Sequence, residues 1–368
     1  MNVVSMIGDT LYTIAGMFWQ IFWALVLGFG LSGVVQTFIP KHRMAQVMGD
    51  DRPASIARAG FFGAISSSCS YAAAAMSRSV FLRGAHISAA VVFMIAATNL
   101  VIELGFVLWS LMGWEFVVAE FAGGILLISL AALFMRWVGP IQAFERVREA
   151  EQGETSADEA QVPALTSFDG WAQAASRFVM DWSMIWKDIV IGVVVAGAIV
   201  VWVPDVFWRT LFLAGGDGVG LFQMLENAVV GPLVAVISFV CSVGNVPMAA
   251  ALFNGGISFG GAIAFIYGDL IVVPMLLVYR RYYGTRLMLQ LAAILYVAMV
   301  ITGFVVDVVF TALGWVPGAA ATQVGQMHFF ALDYTFWLNV VFGIVGAVLW
   351  WLSRQATESA HCCGHHHH

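Results

Sequence analysis

Long apolar runs separated by short polar stretches dominate the chain. The first run covers residues 10–39, and further runs of 20 or more residues recur as far as residue 353. Runs of this length are typical of transmembrane helices. A charge-rich stretch, FERVREAEQGETSADEA at 144–160, lies between two apolar halves and predicts a soluble linker with a short helix. The pattern therefore predicts an all-α, polytopic membrane protein.

Composition supports this fold class and excludes a large soluble domain. Of the 368 residues, 61% are hydrophobic and only 10% are charged, which is more apolar than a soluble core requires. The longest polar stretch, about 139–182, is too short for a separate enzyme domain. The first apolar run lacks a basic leader and a small-residue cleavage site, so we interpret it as a mature helix. The net charge of −6 says little about partners, and no nucleic-acid binding is expected.

The chain contains an internal repeat. A shift of 172 positions aligns CSYAAAAMSRSVFLRG at 69–84 with CSVGNVPMAAALFNGG at 241–256, and eight residues match within the 28 positions from 66 to 93. The shared Cys-Ser pair is hard to attribute to chance because cysteine is rare here. Each copy is predicted to hold a long helix (10–39; 183–205), a Cys-Ser segment (54–83; 225–254) and two more helices (86–112 and 115–138; 257–279 and 287–313).

The repeat divides the chain into five predicted units. They are a first membrane repeat (1–138), a cytoplasmic linker (139–182), a second membrane repeat (183–313), a loop with an extra C-terminal transmembrane helix (314–354), and a Cys/His-rich tail (355–368).

The distribution of basic residues decides between two topologies. If each Cys-Ser segment crosses the membrane, the chain has nine spans and its sixteen basic residues divide nine to seven between the two sides. If each segment instead enters and leaves by one face, fifteen lie on one side and only Arg209 lies opposite. The positive-inside rule favours the second arrangement. It predicts two inverted repeats with about seven full transmembrane helices and two re-entrant hairpins, and it places the linker and C-terminus in the cytoplasm.

The turn of each hairpin contains residues that interrupt a helix. The breaks fall at SSSCS, 66–70, and at CSVGNVP, 241–247, where Gly244 permits unusual backbone angles and Pro247 removes a hydrogen-bond donor. Irregular backbone is tolerated inside a membrane only where protein or a water-filled cavity surrounds it. Arms of ~11 helical residues reach the middle of a ~30 Å hydrocarbon core. We therefore expect the two tips to line a cavity near the midplane, which is a recurrent transporter site.

The two hairpin tips contain the first group of candidate substrate-binding residues. Cys69 and Cys241 would approach from opposite faces, and a helix N-terminus favours a thiolate. Two thiolates suit a soft substrate such as Cu(I), Zn(II) or trivalent arsenic. Ser70, Ser242 and Asn245 would add oxygen atoms or hydrogen bonds. The alternative is structural, because buried cysteine packs as a small apolar residue and Ser or Asn can satisfy broken backbone.

Acidic residues within the apolar runs are the second candidate feature. Asp269 lies in FIYGDLIVVP, Asn99 occupies the corresponding place in the first copy as a candidate substrate contact, and Glu103 follows it by one turn. A charge at the bilayer centre costs ~2.5–3.5 kcal/mol on insertion scales, so it normally faces a cavity or a partner. We assign proton coupling to Asp269 and Glu103, with helix packing as the alternative. For Glu120 and Asp307, packing is the preferred interpretation.

The C-terminal tail HCCGHHHH is a third potential metal-binding element. It contains His361, Cys362 and Cys363, whose side chains bind soft metals. The last four histidines are either native or part of a purification tag. No resident cofactor is expected for the chain.

The motifs also resemble a known family. FVCSVGNVPMAAALFNGGISFGGAIAFIYGDLIVVP and SSSCSYAAAAMSRSVFLRGAHISAAVVFMIAATNLVIELG are similar to the predicted-permease family that includes bacterial organoarsenical efflux permeases. The resemblance implies a multi-pass bacterial inner-membrane permease for arsenicals, copper or zinc. The matching motif positions are Cys69, Ser70, Cys241, Ser242, Gly244, Asn245 and Pro247. The first copy reads CSYAAAA, where many members have a glycine and a proline after Cys-Ser.

Three functions remain open from the sequence. The leading hypothesis is a secondary-active permease that exports a small thiophilic solute and uses protons. An intramembrane enzyme of sulfur or lipid chemistry would need a base beside a cysteine, and no His or Lys lies at hairpin depth. A non-catalytic membrane subunit has no need for two thiol tips. The chain lacks a GxxxxGK[ST] motif, which argues against direct ATP hydrolysis.

Overall fold

The protein is helical throughout the part that the structure describes. A computed structural model describes residues 3–38, 46–66, 70–154, 163–164, 166–202, 220–238, 242–317 and 334–363. The helices up to residue 154 are α1 (Val3–Phe38), α2 (Pro53–Ser66), α3 (Ser70–Leu82), α4 (Ile87–Asn99), α5 (Ile102–Met112), α6 (Trp114–Val138) and α7 (Ile141–Glu154). The remaining helices are α8 (Phe168–Trp202), α9 (Leu221–Ser238), α10 (Ser242–Asn254), α11 (Phe259–Tyr267), α12 (Val273–Tyr283), α13 (Thr285–Leu313) and α14 (Tyr334–Cys363). The six helices α1–α6 recur in the same order as α8–α13.

The helices predicted over 86–112 and 257–279 are interrupted, which corrects the expectation of continuous spans. In the first copy, Val101 is extended between α4 and α5 (φ −100°, ψ 138°). In the second, Val272 is extended between a 3₁₀ turn, Gly268–Ile271, and α12 (φ −59°, ψ 149°). Pro274 at the start of α12 cannot donate to the preceding turn. The two breaks thus lie at equivalent positions of the two copies.

The first Cys-Ser segment reverses direction between its two helices. Gly63 of α2 lies against Phe93 and Ala96 of α4, while Gly60 lies nearer Val92, so α2 runs parallel to α4. Helix α3 joins α4 through a short turn, and Ser77 donates a hydrogen bond to Ala90 O at 2.6 Å. Helix α3 is therefore antiparallel to both neighbours.

A backbone hydrogen bond closes the open end of this first hairpin. His86 N, at the start of α4, donates to Met48 O at 2.7 Å, just before α2 begins. His86 also caps α4, since its Nδ1 accepts from Ser88 N at 3.2 Å. Burial holds the pKa of His86 below its ordinary value, in keeping with a neutral cap. The start and the end of the hairpin, near residues 48 and 86, therefore lie side by side.

The second Cys-Ser segment repeats this geometry. On α9, Asn227 lies beside Gly261 of α11, and Ala235 lies beside Gly268, so α9 runs parallel to α11. Helix α10 returns, and its Asn245 reaches Ile266 near the end of α11. Helices α9 and α10 therefore also form a hairpin that packs on the broken helix following it.

The two hairpins open toward opposite ends of α6. Phe81, near the open end of the first hairpin, packs on Phe144, which follows the end of α6, at a ring separation of 6.4 Å. Phe253 and Phe259, at the open end of the second hairpin, pack on Phe116 in the first turn of α6 at 5.1 and 4.5 Å. The tips consequently point toward each other.

Equivalent helices of the two copies run antiparallel. Trp114 at the start of α6 packs on Trp315, just after α13, at 5.7 Å, and Gly123 lies against Thr302 and Val306. Helices α1 and α8 pair in the same way: Phe38 packs on Trp171 at 5.3 Å, and Trp202 Nε1 donates to Thr10 Oγ1 at 3.1 Å. Helix α14 lies alongside α1, where its Asn339 bonds to backbone atoms of Trp19 and Trp23.

Three described helices are long and apolar enough to cross a membrane by length and composition. They are Trp114–Val138, Thr285–Leu313 and Thr335–Gln355, and the pair Phe259–Ile271 and Val273–Tyr283, bent by 40°, adds a fourth candidate. Many large apolar side chains on their outer faces are exposed, as a lipid-facing surface requires. The count of seven spans stays a prediction.

Candidate functional site at the centre of the fold

The two copies meet through a buried hydrogen bond. Ser70 is the first residue of α3, at the tip of the first hairpin, and its Oγ donates to Asp269 Oδ2 at 2.6 Å. Asp269 lies in the 3₁₀ turn that breaks the second copy. Both side chains are buried, with 3% and 0% exposure. A candidate substrate residue of one repeat therefore contacts the candidate coupling residue of the other.

The tip of the second hairpin reaches the end of α11, next to this 3₁₀ turn. Asn245, in the first turn of α10, is fully buried, and its Nδ2 lies 3.4 Å from Ile266 O. Ile266 precedes Asp269 by three residues. The helices that begin at both tips thus converge on the segment from 266 to 269.

Asn99 ends α4 at the break of the first copy. It is fully buried, and neither its side-chain oxygen nor its nitrogen has a hydrogen-bond partner in the described part of the chain. The adjacent Leu100 packs against Gly124 of α6. Buried polar atoms are normally paired, so unpaired ones in a membrane interior mark a place for water or a ligand.

Glu120, which the sequence analysis assigns to helix packing, is also a member of this cluster. It lies on α6, one turn before Gly124, with 0% exposure, and neither carboxylate oxygen accepts a hydrogen bond from the described residues. Tyr267 Oη donates to the backbone oxygen of Glu120 at 2.8 Å. The interpretation of Glu120 as a packing residue stays a prediction. We call Ser70, Asn99, Glu120, Asn245 and Asp269 the central polar cluster.

Asp307 lies apart from the central polar cluster. It is buried on α13 near the start of α11, where it hydrogen-bonds the Ser258 side chain and the Gly260 backbone. Ser258 itself caps α11 by accepting from Gly261 N at 3.2 Å. Asp307 therefore stabilises a helix start, which fits the expected packing role.

Several predicted site residues cannot be placed. Cys69 and Cys241 lie outside the described residues, directly before Ser70 and Ser242. The side chains of the following predicted residues are also outside the description, although their backbones are helical: Glu103, Ser242, Pro247, His361, Cys362 and Cys363. Gly244 belongs to the first turn of α10. Within the described ranges, no group of three or more His, Cys, Asp or Glu residues has the arrangement of a metal site.

Comparison with known proteins assigns the family. The profile of the family described as "Predicted permease" (ArsP_1) matches residues 7–308. The chain belongs to this permease family. It is also 43% identical over 325 residues to the protein named "Putative permease Rv2963" of Mycobacterium tuberculosis strain ATCC 25618 / H37Rv, an alignment that covers 84% of this chain and 79% of the relative. No solved structure matches. The permease assignment agrees with the apolar helices and confirms the family resemblance of the two Cys-Ser motifs.

Proposed function

We propose that this permease is a secondary-active exporter of a small thiophilic solute, either a metal ion such as copper or zinc or a metalloid such as an arsenical. The substrate would pass a midplane site between the two hairpin tips. The observation that carries the proposal is the convergence of Ser70 and Asn245 on the segment 266–269, just before the break of the second copy. Each tip helix begins at the serine of a Cys-Ser motif, so Cys69 and Cys241 are candidates for binding the same substrate.

The proposed architecture consists of two inverted repeats with re-entrant hairpins. Antiparallel packing of α6 against α13 and of α1 against α8 supports the inversion. The opposite directions in which the hairpins open support entry from opposite faces. Alternating access in such transporters moves one repeat against the other around a central site.

The basic residues suggest which end of the molecule is cytoplasmic. Arg78 of α3 donates to both carboxylate oxygens of Glu151 on α7 at 2.7 and 2.8 Å, and its guanidinium lies 4.6 Å from the centre of the Tyr282 ring. Linker helix α7 thus packs at the open end of the first hairpin, where Arg148 also lies. We place this end in the cytoplasm of a bacterial cell, with the C-terminus on the same side.

Cysteine labelling tests the opposite openings of the two hairpins. Arg83 and Gly255 are equivalent positions, 172 residues apart, and both are partly exposed. Their neighbours Gly84 and Gly256 have φ of 105° and 107°, so a cysteine there would be strained. In a cysteine-free background, Arg83→Cys should react with an impermeant maleimide from the cytoplasm and Gly255→Cys from outside. Reaction of both from one face would contradict inverted repeats.

A flux assay tests the transport function itself. The purified protein in proteoliposomes should move at least one of arsenite, a trivalent phenylarsenical, Cu(I) or Zn(II) faster than protein-free vesicles, and an imposed pH gradient should change the rate. A deletion strain should show increased sensitivity to the same solute. Equal rates with and without protein for the whole panel would exclude the thiophilic substrate class.

A further inference from the structure

The linker helix α7 contacts both copies at once through an aromatic junction. Its Phe144 is fully buried and packs on Phe81 of the first hairpin at a ring separation of 6.4 Å and on Tyr283 of α12 at 5.0 Å. Phe81 and Tyr283 also pack on each other at 6.3 Å. The three rings therefore join the linker, the first hairpin and the second copy.

A charged junction joins the same three elements near the end of α7. Arg78 on α3 donates to both carboxylate oxygens of Glu151 at 2.7 and 2.8 Å, and its guanidinium lies 4.6 Å from the centre of the Tyr282 ring on α12. The side chains of Arg78 and Glu151 are 20% and 32% exposed. A two-pronged arginine–carboxylate pair of this kind is among the stronger hydrogen-bonded contacts in proteins.

The two junctions differ in how they can be released. The aromatic junction is apolar and lies in the first turn of α7, only a few residues after Gly139 and Pro140 connect this helix to α6. The charged junction depends on an ion pair that water partly reaches, so dissolved salt screens it. Helix α7 can therefore detach at Glu151 while it stays attached at Phe144.

We propose that α7 is a cytoplasmic strap, attached at Phe144 and fastened by the Arg78–Glu151 pair, whose release is a rate-limiting step of the transport cycle. The inference rests on the proposed function, in which alternating access moves one repeat against the other. Arg78 and Phe144 each touch both copies, so this movement has to separate contacts that the strap holds together. The strap residues lie apart from the central polar cluster, and their loss leaves the candidate substrate contacts in place.

Hydrogen–deuterium exchange of the purified full chain in liposomes tests the strap without any transported solute. A 14-residue helix that has left its contacts is marginal in water, so detachment appears as exchange of the α7 amides. Glu151→Gln should make this exchange at least about fivefold faster, because it removes the charge of the pair. Glu149→Gln, an exposed acid two residues earlier on the same helix, is the matched control and should leave exchange unchanged. Rising ionic strength should speed the exchange in wild type but not in Glu151→Gln.

Solute flux distinguishes a strap that releases from a brace that stays closed. For a solute that the proteoliposome assay identifies, Glu151→Gln should raise the maximal rate at least about threefold and leave the apparent affinity unchanged. Arg78→Lys keeps the positive charge but loses the two-pronged geometry and the stacking on Tyr282. It should give intermediate values in both measurements, and it provides the second variant if Glu151→Gln folds poorly.

Two outcomes would overturn the proposal. Exchange of α7 that is unchanged in Glu151→Gln and insensitive to salt in wild type would show that the pair does not fasten the helix. Faster exchange together with a wild-type rate of flux would make α7 a structural brace whose release does not limit the cycle. Faster exchange in a protein that moves none of the tested solutes would instead refute the proposed function, while the fastening of α7 by Arg78 and Glu151 would stand.

Discussion

Replacing Asp269 with asparagine is expected to abolish the dependence of flux on the pH gradient. The substitution keeps the shape of the side chain and one oxygen that can accept from Ser70, but it removes the titrating group. A hydrogen bond to a charged group is worth about 1.5–3 kcal/mol, so weakening it and removing the titratable carboxyl should lower the pH-driven rate at least about tenfold. Folding should be largely preserved because the volume is unchanged.

The matched control for this prediction is Asp307→Asn. Asp307 is also a buried intramembrane acid, but its partners are Ser258 and Gly260 at the start of α11. Its substitution should reduce thermal stability while leaving the pH dependence of flux intact. Rates in proteoliposomes would be measured over a series of imposed pH gradients for wild type and both variants. Wild-type pH dependence in Asp269→Asn would make Asp269 a structural residue.

Cys69→Ser and Cys241→Ser are each expected to reduce transport about as strongly as the double variant. If one soft solute is bound by two thiolates, the loss of either ligand forfeits most of the affinity, and the second loss adds little. The expected reduction is at least about tenfold for each single variant. Proteoliposome flux at several solute concentrations separates a loss of affinity from a loss of maximal rate.

The tail supplies the internal control for the cysteine variants. Removal of residues 361–368 deletes Cys362 and Cys363 together with His361, but it leaves the candidate span Thr335–Gln355 of α14 intact. Flux through the tail-truncated protein should equal that of wild type. Wild-type flux and affinity in either tip variant would reject the paired-thiol site and would leave Ser70, Asn245 and the tip backbone as the substrate contacts.

The repeat and its hairpins could be predicted because their signals are local. The shared Cys-Ser pair and the spacing of 172 residues align the copies, and the basic residues predict that each segment returns to its own face. The structure adds the packing directions that sequence periodicity does not contain. The antiparallel pairing of Trp114 with Trp315 is a contact between residues about 200 positions apart, which the sequence of one chain cannot reveal.

The breaks at the centre were harder to predict. Gly268 and Pro274 flank the break in the second copy, and both were visible as helix-breaking residues. The first copy has no proline near Val101, and its nearest glycine, Gly105, follows the break within α5, so its apolar pattern is that of a continuous helix. At this break Leu100 contacts Gly124 of α6. The helix is therefore interrupted at a tertiary contact and not at a helix-breaking residue. Asn99, placed by correspondence with the second copy, was the one available signal.

Only part of the candidate site could be predicted, because contacts between residues far apart in the chain are not visible in the sequence. Ser70, Asn245 and Asp269 stand out as polar residues in apolar motifs, but nothing along the chain pairs Ser70 with Asp269, 199 positions away. Glu120 was assigned to packing because an acid in a long helix has no visible partner in the sequence. Its contact with Tyr267 of the other copy comes from the fold, over 147 positions of sequence.

Cross-linking of the two tips tests the central claim most directly. In protein truncated at residue 360, Cys69 and Cys241 are the remaining cysteines, and a protease site inserted at 155–162 separates the two repeats after cleavage. The account predicts that mild oxidation keeps the two fragments joined on a non-reducing gel and that Cys241→Ser abolishes the link, since a disulfide needs Cα atoms about 4.4–6.8 Å apart. Fragments that separate after oxidation, although both thiols react with maleimide, would contradict a shared site between the hairpin tips.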